Sequence, residues 1–82
     1  MQALAYRHAG GMATDICVRV GRRIRVLRTE REWTQAMLAD HAELTREHLS
    51  ELENGHKEVG IRALEKIAQA LGVNLHQFFD RL

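Results

Sequence analysis

From Thr14 onward, apolar residues recur every three or four positions, and no stretch shows the strict alternation of a strand. A chain patterned this way folds as a set of short helices packed on their apolar stripes. Ile16, Val20, Ile24 and Leu27 form the first stripe, with Arg19, Arg22, Arg23 and Arg25 mostly facing away from it. That helix should run to about Arg31. Thr34 is placed to cap a second, short helix, in which Ala36, Met37, Leu38, Ala39 and Ala42 supply small and apolar contacts. Glu43-Leu44 makes a tight connection to Thr45, a further N-cap. The third helix then runs from Arg46 to about Glu53, with Leu49 and Leu52 pointing inward. Asn54-Gly55 stops it, since Gly55 is free to take a positive φ. Gly60 opens a fourth helix with the stripe Ile61, Leu64, Ile67, Ala68 and Leu71, and Gly72 closes it. Asn74 caps a last short helix containing Leu75, Phe78, Phe79 and Leu82. The absence of proline agrees with this all-α pattern.

Eighty-two residues allow one domain, placed at residues 14–82. Residues 1–13 read as a leader, because Gly10-Gly11 breaks any helix begun by Ala3–His8, and Met12 could equally begin the protein. Net charge is only +1, but it is unevenly spread. Residues 1–32 hold seven arginines against three carboxylates, whereas residues 33–82 hold five basic and eight acidic side chains. A basic first third is either a solvated helix face, the simpler reading, or a surface near phosphates. Cys17 is the only cysteine, which fits a reducing cytoplasm. No apolar run approaches the roughly 20 residues of a membrane span and no signal peptide is evident, so a cytoplasmic location with no membrane partner is expected.

Two short helices joined by about three residues make a helix-turn-helix, whose second helix projects its N-terminal side chains into a DNA major groove. Those side chains would be Thr45, Arg46, Glu47, Ser50 and Glu51. Arg can fork onto guanine, Glu can accept from a cytosine amino group, and a Thr methyl can meet thymine. Glu47 and Glu51 lie four apart on one face. They either read cytosines or suppress binding to wrong sequences, and Glu51 alternatively swings to solvent.

The segments GRRIRVLR, WTQAMLADHA, LTREHLSELENG and ALEKIAQALGV resemble the Xre/Cro-type helix-turn-helix family, which includes the lambdoid phage repressors. The resemblance runs from Gly21 to Phe79, with Gln35, Ala39, Leu44, Leu49, Leu52, Glu53, Gly55 and Leu64 in register. It implies a five-helix lambda-repressor-like domain that binds double-stranded DNA and regulates transcription. The ending KEVGIRALEKIAQALGVNLHQFF is also similar to the controller proteins of restriction-modification systems. The resemblance implies phosphate contacts at Thr34 and Gln35, where backbone N–H groups also point outward; Asn54, His56 and Lys57 are further candidates. It also implies a largely buried ion pair between Arg28 and Glu53. One departure stands in the turn, where Glu43 replaces the family's usual Gly, at roughly 1 kcal/mol if the residue is left-handed.

One recognition helix reads only a few base pairs, so tight binding calls for a two-fold homodimer and a palindromic site. The groove-facing surface must stay free, which leaves Val73, Leu75, Phe79 and Leu82 as the expected interface. The rival reading is an antitoxin or interaction module of the same fold, with a protein partner on that surface. An enzyme is not indicated: His8, His41, His48, His56 and His76 show no metal-ligand spacing, and Gly10-Gly11 and Gly21 fit no phosphate loop. No cofactor is expected.

Overall fold

The computed structural model describes residues 15–82, so the leader assigned to residues 1–13, with His8, lies outside the described residues. Five helices follow one another: α1 (Ile16–Glu30), α2 (Gln35–His41), α3 (Arg46–Glu53), α4 (Ile61–Leu71) and α5 (Leu75–Phe79). Among the described residues there is no strand. Four of the five starts have a side-chain cap, the exception being α4, whose N-cap is Gly60. The side chains of Asp15, Thr34 and Thr45 accept hydrogen bonds from the backbone N–H of Cys17, Met37 and His48 at 2.7, 3.1 and 3.0 Å. Asn74 and Gln77 close a reciprocal capping box on α5.

The stops of the first four helices share one device. A residue one or two positions past each helix is left-handed: Glu32 (φ 59°), Glu43 (φ 62°), Gly55 (φ 73°) and Gly72 (φ 77°). The next N–H then returns to a carbonyl in the last turn, from Trp33 to Arg28, Leu44 to Ala39, His56 to Glu51 and Val73 to Ala68. Glycine does this without strain and glutamate does not. The strained turn expected at Glu43 is therefore present, and Glu32 is a second one that the sequence pattern did not reveal.

The core centres on Ile24, Leu38, Leu49, Leu52, Ile67 and Phe78, all fully buried. Two residues of the expected stripes lie outside it: Ile16 is 49% exposed and Ile61 is 80% exposed. Both open their helices, where a side chain overhangs the end of the core rather than covering a neighbour. Ala36 and Met37 also face solvent, leaving Leu38, Ala39 and Ala42 as the buried residues of that segment. Leu82 falls beyond α5, which ends at Phe79, but still packs partly buried against the core.

α1 makes its closest approach to α3. Gly21 is buried where they cross, and a Cβ there would fall 2.6 Å from the carbonyl oxygen of Glu53 and nearer still to that of Leu52. On another side α1 ties down the C-terminal helices through arginine. Arg31 Nε donates to the Leu71 carbonyl at 2.9 Å, satisfying an end of α4. Arg23 donates to the carbonyls of Phe78 and Gln77 at 2.9 and 3.1 Å, closing α5. Four arginines of the basic first third, Arg23, Arg25, Arg28 and Arg31, thus reach across to other elements. They cross-link the helices.

Candidate nucleic-acid interface

α2 and α3 meet through the turn at Glu43-Leu44, and their packing leaves one face of α3 open. Leu49, Leu52 and Glu53 are buried, while Thr45, Arg46 and Glu47 are exposed and Ser50 is partly so. The side chain of Thr45 is engaged in capping its own helix. Arg46 and Glu47 project freely from the first turn.

Glu53, on the inner side of α3, is the polar centre of this region. Its side chain is fully buried. Arg28 grips it with both prongs, Nε to Oε2 at 2.7 Å and Nη2 to Oε1 at 2.9 Å. The remaining Arg28 prong, Nη1, donates to the Trp33 carbonyl at 2.8 Å. Gln35 Nε2, from the first turn of α2, donates to Glu53 Oε1 at 3.1 Å. Arg25 adds a longer contact at 3.5 Å and donates from Nη2 to Asn54 Oδ1 at 2.9 Å. Burial alone would raise the Glu53 pKa. Hydrogen bonds from Arg28 and Gln35, with the Arg28 charge, outweigh that and hold it below the usual carboxylate value. One carboxylate therefore joins α1, the start of α2 and the end of α3.

The other residues named from sequence fall around this centre. Thr34 is exposed at the α2 cap, and Asn54, His56 and Lys57 are exposed after α3. Glu51 does not stand free, because Lys57 Nζ lies 3.2 Å from its Oε1. At the opposite end of the molecule Phe78 fills the core, and Leu75 and Phe79 are each 42% exposed. Val73 and Leu82 are partly buried against the core. Three structural residues were not singled out from sequence. Arg25 and Gly21 share the Arg28 side of α1 at spacings of three and four, a signal that could have found them. Trp33 stacks on His41 with ring centroids 4.8 Å apart, a contact across α2 that periodicity does not show. Partial burial, with Asp15 and Glu58 nearby, raises the Cys17 pKa and keeps that side chain a thiol. Among the described residues no group of three His, Cys, Asp or Glu is placed to hold a metal, and no helix is long and apolar enough to cross a membrane.

A short helix braced from behind, with polar side chains on its open face and a tight turn before it, defines a helix-turn-helix domain of the kind used by DNA-binding transcriptional regulators. The chain belongs to the helix-turn-helix family, whose model matches residues 24–78. It is 37% identical over 60 residues to a competence pilus inhibition repressor of Acinetobacter baylyi, covering 73% of this chain and 54% of that protein. It is 36% identical over 67 residues to the control protein C.MunI of a Mycoplasma species, covering 80% of this chain and 90% of that one. The chain thus spans about half of that repressor and most of the control protein. Among solved structures, the restriction-modification controller protein C.AhdI of Aeromonas hydrophila superposes with a TM-score of 0.74 at 32% identity, covering 77% of this chain and 96% of that one.

Proposed function

We propose that the chain regulates transcription by binding a palindromic operator as a homodimer, in the role of a restriction-modification controller. The observation that carries this reading is the two-sidedness of α3, buried through Leu49, Leu52 and Glu53 and open through Arg46, Glu47 and Ser50. On this reading Thr45, Arg46, Glu47 and Ser50 face base edges. Glu51, held by Lys57, acts mainly by discouraging wrong sequences. Thr34, Gln35, Asn54, His56 and Lys57 contact phosphates on either side. Gln35 gives one amide hydrogen to Glu53 and keeps the second for a phosphate.

Three of the large exposed apolar side chains, Ile16, Leu75 and Phe79, gather around Phe79. Leu75 lies on one side of it, and a shallow cleft lined by Ile16, Val20, Val59 and Leu64 on the other. This supports a two-fold contact built on Leu75 and Phe79, flanked by Val73 and Leu82. The two recognition helices would then enter successive major grooves about 34 Å apart. The likeness in sequence to controller proteins supports the specific role.

Selection of bound sequences from a random DNA pool, with sedimentation equilibrium of the protein, tests the reading. Recovery of an inverted repeat and a dimer in the micromolar range is expected. Selected sites without two-fold symmetry, or a monomer even with palindromic DNA present, would contradict the dimer. That result would favour an antitoxin-like protein partner on the Phe79 surface.

A further inference from the structure

The arginines of α1 point two ways. Arg25 and Arg28 share the Gly21 side and hold α3. At about 100° per residue, Arg19, Arg22 and Val26 lie on the far side, away from α3. There Arg19, Arg22, Arg23 and Arg81, with Val26 and Leu82, line an open pocket of about 250 Å³. Its one side-chain carboxylate is Glu30. Arg23 spends two donors on the end of α5. Arg19 Nε is buried without a hydrogen-bond partner among the described residues. A buried donor without a partner and four guanidiniums around one concavity both cost stability unless an anion fills the space.

Guanidinium forks match the oxygens of a phosphate group, and the site offers several of them from different directions. Val26 and Leu82 add an apolar wall for the organic part of an ester. We propose that this pocket binds a small phosphate monoester. A duplex held by α3 lies on the opposite side of α1, so the site is separate from the DNA surface and does not depend on how that surface is used.

Titration calorimetry on the full chain at constant ionic strength, with butyl phosphate and inorganic phosphate as probes, tests this. Saturable one-to-one binding is expected, tighter for the ester because of the apolar wall. Arg22→Gln should weaken it by about tenfold or more, as loss of a charge-assisted hydrogen bond does. Arg22 is exposed, so this variant retains the core, which circular dichroism will verify. The double variant Arg19→Gln/Arg22→Gln should abolish binding, while Lys57→Gln should leave it unchanged. Absence of saturable binding, or equal binding by the double variant, would overturn the site. Inorganic phosphate binding as tightly as the ester would overturn the monoester in favour of the free ion. A lower affinity of Arg22→Gln for DNA, with a shallower salt dependence, would overturn it by assigning these arginines to DNA phosphates.

Discussion

Two sides of α1 are attached to the rest of the molecule by opposite kinds of chemistry. Toward α3 the contact is close and polar. Gly21 lets the backbones approach, and Arg28, Gln35 and Arg25 converge on the buried Glu53. Toward α5 the anchor is one apolar side chain, Phe78, fully buried, with Arg23 closing the helix end and Phe79 left exposed. Hydrogen bonds of fixed length and direction suit the side that must hold a reading helix in one orientation. Apolar area, which is less directional, suits the side proposed for self-association.

The largest effects should come from cutting each anchor. Arg28→Met leaves a buried, unpaired carboxylate at about 3–5 kcal/mol. Phe78→Ala opens a core cavity at a similar cost of about 3–5 kcal/mol, whereas Phe79→Ala should leave monomer stability nearly unchanged and weaken self-association. Urea unfolding of the three variants checks the ranking, and a double-mutant cycle showing no coupling between Arg28 and Glu53 would break the polar half of the comparison. Gly21→Ala comes next, at about 1–3 kcal/mol or more, because the new methyl meets backbone oxygens that cannot move independently.

The polar seam should also set an acid limit. The Glu53 pKa lies below its ordinary value of 4.5 in the folded chain. Its contribution is therefore present above that value and lost as pH falls through the lowered folded pKa. Thermal midpoints across this range should show a component of acid destabilisation that Glu53→Gln removes. The smallest change is a gain. Glu43→Gly relieves a left-handed glutamate and should stabilise by about 1 kcal/mol, less what is lost with its exposed ion pair to Lys66. Glu32→Gly serves as the matched control at the other strained stop.

All five helices were legible because their signals are local. Thr34, Thr45 and Asn74 cap by bonding N–H groups three residues away, and Gly55 and Gly72 mark stops by composition. Glu32 was not legible, since nothing in its type announces a left-handed residue. Ile61 and Ile16 misled because periodicity identifies a helix face without showing which turns of it are covered. The roles of Arg23 and Arg31 depend on carbonyls 55 and 40 residues away, which no local pattern encodes. At the site, the open face of α3 could be read from its spacing. The diversion of Gln35 to Glu53 and of Lys57 to Glu51 could not, because side-chain pairing depends on tertiary geometry.

Readout by the open face of α3 is tested most directly by comparing Arg46→Ala and Lys57→Ala on the selected operator and on random DNA across a salt series. Arg46→Ala should lose about 1–3 kcal/mol on the operator alone and relax preference at one base position. Lys57→Ala should weaken both DNAs about equally and reduce the salt slope by about one. An Arg46→Ala variant with unchanged affinity and base preference would contradict the account.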